Sequence, residues 1–537
     1  MSDRSPSPGR AARRLPGGPA LSRRNLFFLG ATGLAAVPLF GAGGLTPASP
    51  AGGLRPLGAE NDVLDLRDFG AKGDGVRDDT RAVQRLIDAS ARRGQVGLVP
   101  RGTYRITASL LVPAGARLSL NRGARLLKDW AAPVGLQDAL LRNADLSQPI
   151  SGVQITGPGT IGARDHSRTG VVIGLYGHDV LLRGFTIDTY AGGQAIMYAG
   201  DRGRVDQVTI RNSAEETGTG GIRVFGGNDF LGTDCHVESG DDCFQFVPIG
   251  NPQAEPSLYN QSIARGRFVG CTGTSTVSRF MVALLEFTGG EPGTTDMDAS
   301  VTDCSFEQCS GRATNRGIVV KNSHSTGSIE RLAFTDCTVD MARAADASAQ
   351  EIRIQTDATT GGAIRGVTFT RTNITNPVNS TLRVGGPHIS GLTFDTCDFV
   401  APSGAAPLVA VVDAASDVTF RGCSFSGTQE SGTGAGASKR VLVAGPTAPV
   451  TGLVVERSRF TGIGNTFFGV DVLSATGATI TGSTFTALAG AATARAVRVS
   501  PEATNVVIEG NDFTGIAHAA PVADRGVGTV VAANTGA

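Results

Sequence analysis

The chain has 537 residues, among them 74 glycines, 24 phenylalanines, five tyrosines and one tryptophan. Its 48 Lys and Arg balance 48 Asp and Glu, and charged residues make up 18% of the total, which excludes the basic field that holds nucleic acid. The length would allow several ordinary domains, but short β-branched segments punctuated by glycine run through most of it and point to one long architecture.

In chain order, residues 1–55 read as an export signal and linker, and 56–537 as a single domain. The segment "LSRRNLFFLGATGLAAVPLFGAGG" has paired Arg23 and Arg24, a modest apolar stretch, then small residues. The order Ser22, Arg23, Arg24, Asn25, Leu26, Phe27, Phe28 resembles a bacterial twin-arginine signal. The apolar run is shorter than the roughly 20 residues a membrane span requires, and no later segment is apolar enough to cross a bilayer. The expectation is a secreted protein, off the membrane once the signal is removed, with its oligomeric state open.

Between Asp68 and Ile106 the sequence reads as a glycine turn, a capped helix through Val83, Leu86 and Ile87, and a strand ending in Gly-Thr-Tyr. Asp74, Asp78 and Asp79 have the look of a metal cluster. The favoured reading is instead that Asp78 or Asp79 caps the helix, where a carboxylate is stabilised, and that the helix closes one end of the fold. This stretch closely resembles the opening module of the pectate-lyase-like β-helix superfamily.

Further on, five cysteines sit in nearly one phrase: "RFVGCTG", "SVTDCSF", "AFTDCTV", "TFDTCDF" and "TFRGCSF", at Cys271, Cys304, Cys337, Cys397 and Cys423. Equivalent positions read at Tyr190, Ser213, Cys235, Thr372, Ser458, Ser483 and Asn511, giving a period in the twenties to thirties. Alternating stretches such as "VTFRGCSF" bury one face of a strand, and each unit is too short to bury that face alone. The predicted fold is therefore all-β: a right-handed parallel β-helix with a short N-terminal capping helix, in preference to a β-propeller, whose blades need about 40 to 45 residues. Cys271, Cys304 and Cys337, each 33 residues from the next, are expected to stack as small buried rungs rather than as inter-coil disulfides.

The phrase Gly240, Asp241, Asp242, Cys243 resembles the Gly-Asp-Asp-Cys motif of glycoside hydrolase family 28, the polygalacturonase family. The resemblance implies Asp241 as general acid and Asp242 as a base. Three other motifs of that family are incomplete: its Asn-Thr-Asp-Gly falls on Gly218, Thr219, Gly220 and Gly221, its Gly-His-Gly on Ser278, Arg279 and Phe280, and its Arg-Ile-Lys on Val319, Val320 and Lys321. Glu215 or Glu216 is a candidate for the missing carboxylate. Since adjacent strand residues face opposite sides and an unpaired buried carboxylate is costly, Gly240 is expected to mark a bend that turns both aspartates outward.

Arg223, Arg279, Lys321 and Arg353 come from successive repeats and suit a uronate-bearing chain, whose carboxylates pair with such cations. His236, His324 and Glu286 are weaker candidates. The leading expectation is an exported glycoside hydrolase acting on a polysaccharide, an acidic, pectin-like one, with no cofactor. The alternatives are a lyase using Arg279 or Lys321 as base, with calcium held by Asp241, Asp242 and Glu286, or a non-catalytic glycan-binding β-helix.

Overall fold

The computed structural model describes residues 63–130, 138–163, 170–189, 193–212, 218–248, 261–285, 298–323, 325–341, 351–357, 361–378, 380–400, 408–427, 440–465 and 467–536. Arg23, Arg24, Glu215, Glu216, Glu286 and His324 lie outside them, as do Tyr190 and Ser213.

The described chain winds into a parallel β-helix. Strand Leu181–Arg183 pairs in parallel with Arg204–Asp206, that with Leu231–Thr233, that with Arg267–Val269, and so on coil after coil. A second ladder runs through Thr186–Thr189, Thr209–Asn212 and His236–Ser239, and a third through Ile196–Ala199, Ile222–Asn228, Phe244–Phe246 and Arg279–Leu285. Period-2 alternation drives this arrangement, because each strand has one buried and one outer set of side chains and can bury the first only by stacking on its neighbours.

The interior set forms continuous ladders. Phe268, Phe306, Phe334, Phe369, Phe394 and Phe420 occupy one register position on six successive coils. From Phe306 to Phe420 their ring centroids lie 4.8–5.1 Å apart with planes within 11° of parallel, so the rings repeat at the strand spacing. A second stack, Phe399, Phe425, Phe460 and Phe485, has centroids 4.6–4.8 Å apart.

The cysteine register differs from expectation at one position. All eight cysteines are buried thiols without disulfides. Thr272 pairs with Ser310 and Ser310 with Thr338, so the rung between Cys271 and Cys337 is Cys309. Cys304 precedes Ser305, whose partner is Arg267, and belongs to another corner of the coil. The physical reason is that each coil turns two similar corners, at each of which a residue with positive φ is followed by a buried one. Asp303 (φ 56°) precedes Cys304, and Gln308 (φ 54°) precedes Cys309. The equal 33-residue spacing compared one kind of corner with the other.

The first kind of corner carries an alternating charge ladder: Asp179, Arg202, Asp229, Arg265, Asp303 and Arg331, all with φ between 52° and 59°. Left-handed backbone is unfavourable for residues with a Cβ, and short ion pairs tie these corners in twos: Arg202 to Asp179 at 2.8 Å, Arg265 to Asp229 at 2.7 Å and Arg331 to Asp303 at 2.6 Å. Being exposed and screened by solvent, such pairs add little to stability; their effect is to fix the register of one coil on the next.

At the N-terminal end, helix Thr80–Arg93 buries Ala82, Val83, Leu86 and Ile87 against the first coils. The capping expectation holds for Asp78, whose Oδ1 accepts the Thr80 N–H at 3.0 Å. Asp79 is the N-cap by position only. Its carboxylate reaches back to accept the N–H groups of Lys72 and Gly73 at 2.7 and 2.9 Å, and so ties the glycine turn to the helix. Asp74 accepts the N–H groups of Val76 and Arg77. Each of the three carboxylates is taken up by its own loop.

Candidate functional site

Asp241 and Asp242 lie in the corner between strand His236–Ser239 and strand Phe244–Phe246. The corner is built from the backbone: the Asp241 N–H donates to the Thr219 carbonyl at 3.1 Å, the Asp242 carbonyl accepts the Gly221 N–H at 2.9 Å, and the Cys243 N–H donates to the Arg279 carbonyl at 3.2 Å. These bonds fix one column of residues on successive coils: Gln194, Gly220, Asp242, Arg279 and Arg316.

The expected outward turn of both aspartates does not occur. Asp241 is 9% exposed and Asp242 is 2% exposed. Burial is tolerated because each carboxylate has partners. Asp241 Oδ2 accepts the Gly218 N–H at 2.5 Å. Asp242 takes a bidentate guanidinium: Arg279 Nε and Nη2 donate to its Oδ1 and Oδ2, both at 2.6 Å, and the Ser278 hydroxyl donates to Oδ1 at 3.2 Å. Arg279, whose side chain is 19% exposed, is thus Asp242's counter-ion. Both Asp242 oxygens face a guanidinium, a setting that suits an anion and not a calcium ligand.

Burial pushes the Asp242 carboxyl up to about 7 against the pull of Arg279, with the neighbouring Asp241 charge and hydrogen bond pushing the same way as burial. The two carboxyls therefore act on one another at hydrogen-bond range. An acid and a base on opposite faces of a glycosidic bond stand about 6.5–9.5 Å apart, so two adjacent carboxyls that interact this closely are not a separated acid and base.

The raised value has a consequence for stability. The unfolded carboxyl loses its proton near pH 4, while the folded one keeps it until about pH 7. Between those values the folded state binds more protons, so this group's contribution is fully present below pH 4 and is lost as pH rises to 7. Asp242→Asn, which cannot ionise, should be more destabilised relative to wild type at pH 5 than at pH 8. Denaturation midpoints of both proteins at the two pH values check this; a gap that does not change with pH contradicts it.

Gly220 stands where the resemblance expects a carboxylate. A Cβ there would meet Gln194 Oε1 at 1.9 Å and Gln245 Nε2 at 2.5 Å, so the space is already filled. Gln245 Nε2 donates to Gln194 Oε1 at 2.5 Å and to the Asp242 carbonyl at 2.9 Å. Both amides are buried. Sequence reasoning missed this pair and Ser278; the only signal in the sequence was Gly220, where an aspartate was missing.

The expected cations divide. Arg223 is 8% exposed, and its guanidinium donates to the Val247 carbonyl at 3.2–3.3 Å, so it braces the segment after Phe244–Phe246 and does not stand in solvent as expected. Lys321 and Arg353 are half-buried on the outer side of the two strands following Arg279–Leu285. Arg353 pairs in register with Arg383, an exposed cation that sequence reasoning missed. His236 sits on the outer face of another ladder, 2.9 Å from the Thr272 hydroxyl and 3.4 Å from Glu238.

Residues 63–263 match the family described as Rhamnogalacturonase A/epimerase, pectate lyase-like. A glucan 1,3-beta-glucosidase of Cochliobolus carbonum is 32% identical over 104 residues, 19% of this chain. The matches to curated proteins span between 4% and 12% of those proteins' own length. Among solved structures, a tailspike protein of E. coli bacteriophage HK620 superposes with a TM-score of 0.53 at 12% identity, over 87% of this chain and 79% of the tailspike. The family 28 exopolygalacturonase of Yersinia enterocolitica aligns over 84% of this chain and 78% of its own, at 17% identity and a TM-score of 0.46. The tailspike likeness extends the parallel β-helix fold over most of the chain. Among the described residues no helix is long and apolar enough to cross a membrane.

Proposed function

We propose that the protein is an exported carbohydrate-active enzyme that hydrolyses glycosidic bonds in an acidic, pectin-like polysaccharide, with Asp241 as proton donor. The observation that carries this reading is the pair of adjacent carboxyls buried in one corner, Asp241 on the Gly218 N–H and Asp242 in the bidentate grip of Arg279. In this reaction the bond from the anomeric carbon to the leaving oxygen breaks, Asp241 protonates that oxygen, and water supplies hydroxide to the carbon. Arg353 and Arg383, in register on neighbouring rungs, present two guanidinium groups that suit the carboxylates of an acidic substrate. Glu215 and Glu216 precede Gly218, the donor to Asp241, by three and two residues, and remain the candidates for activating water. Export is proposed from the twin-arginine resemblance alone.

Binding without turnover is a second reading, favoured by the neutral Gln194 and Gln245 where the resemblance expects a carboxylate. Elimination with Arg279 as base is disfavoured, because its guanidinium is engaged by the Asp242 carboxylate, which leaves Lys321 as the base that reading requires. Incubation with a panel of uronate and neutral polysaccharides, read by product mass, tests the three. Hydrolysis adds one water per bond cleaved, elimination leaves an unsaturated end and no added water, and binding alone leaves the mass unchanged.

A further inference from the structure

The Asp242 to Arg279 pair stands across the site in a way that the proposed chemistry must undo. Arg279 covers both oxygens of Asp242 at 2.6 Å, and a carboxylate so held has no oxygen free to take up a proton or to face a leaving group. The charged groups that act on Asp242 are Arg279, from the strand on the next coil, and Asp241 beside it. Ser278, Gln245 and Gly220, which also meet it, are neutral, and the column continues beyond Arg279 to Arg316. Arg279 grips this carboxylate while its side chain keeps 19% exposure, enough for a ligand to reach it. A guanidinium binds any carboxylate in the same planar fork, so a uronate can compete for it with the geometry Asp242 uses.

We propose that Arg279 makes the site select anionic glycans: the carboxylate of a bound uronate takes the guanidinium away from Asp242, and the released Asp241 and Asp242 pair takes up one proton from solvent. This rests on the acidic-glycan reading above and adds to it the residue that enforces the choice. A neutral sugar offers nothing to exchange for the ion pair, leaves Arg279 in place, and meets a locked site. Removing a cation from a buried carboxyl raises its proton affinity further, so the proton taken up is the one the leaving oxygen later receives. Selectivity would then come from a contact that the wrong ligand fails to break.

The test is calorimetric binding of a thio-linked trigalacturonide, which is not hydrolysed, in buffers of different ionisation enthalpy. At pH 8, where Asp242 in the unliganded protein has lost its proton, binding should take up close to one proton per site; at pH 5.5, where it is already protonated, close to none. Asp242→Asn should bind without uptake. Arg279→Lys, which keeps the charge but not the bidentate fork, should lose at least about tenfold of the preference for the trigalacturonide over its carboxyl-reduced neutral counterpart, with an unchanged melting temperature showing that the fold is kept. Absence of binding, absence of uptake at pH 8, or equal uptake in Asp242→Asn overturns the proposal. The two readings fail differently. Uptake and binding with no turnover of any polysaccharide would remove the hydrolase reading and leave the Arg279 exchange standing, whereas turnover of a neutral glycan without uptake would remove the exchange and leave hydrolysis.

Discussion

Asp241→Asn is expected to lower turnover of an acidic polysaccharide by about 10²–10⁴-fold, the usual cost of losing a general acid, while leaving the melting temperature unchanged. The amide keeps the volume of the side chain and an oxygen that can still accept the Gly218 N–H, now made at 2.5 Å. The corner should therefore close as before, because its backbone bonds to Thr219, Gly221 and Arg279 do not involve this side chain. Asp241 is the better probe of the two aspartates. Truncating or neutralising Asp242 also strips Arg279 of its counter-ion, and breaking a buried pair costs about 3–5 kcal/mol, so lost activity there would mix chemistry with folding. Initial rates and thermal melts on the same preparations check the expectation. Full activity in Asp241→Asn would make the residue a buried polar corner and favour binding without turnover.

Phe369→Ala should destabilise the solenoid by about 3–5 kcal/mol, the range for removing a buried phenylalanine without local collapse. Its ring is fully buried between Phe334 at 4.8 Å and Phe394 at 4.9 Å, so the substitution opens a gap in a column whose neighbours are fixed at the strand spacing and cannot close on it. Phe513 provides the contrast. It stands at the end of the second column, tilted 56° from Phe485 at 5.4 Å, and its coil has fewer neighbours to hold it. In a stacked repeat, stability is close to a sum of nearest-neighbour terms, so Phe513→Ala should cost clearly less. Urea denaturation of both variants against wild type checks the order; equal losses would mean that the column does not act rung by rung.

The solenoid was legible in the amino-acid order alone. Alternation such as Val418, Phe420 and the "RGCSF" phrase states which side chains face inward, and a unit too short to bury its own face leaves stacking as the one stable solution. The capping helix was legible for the same reason, since Val83, Leu86 and Ile87 mark one apolar face. The Gly-Asp-Asp-Cys phrase marked where two carboxylates meet. Their surroundings depend on how the coils stack. That Arg279 holds Asp242, that Gln194 and Gln245 fill the space at Gly220, and that Arg223 donates to the Val247 carbonyl are contacts between residues 24 to 51 positions apart. Coil lengths set which of these residues meet, and they vary. The same variation hid the cysteine register, where two similar corners in each coil let Cys304 pass for the rung that Cys309 fills. Local pattern fixes which way a side chain faces, because that is settled by its nearest neighbours along the strand; its partner depends on the length of chain between one coil and the next.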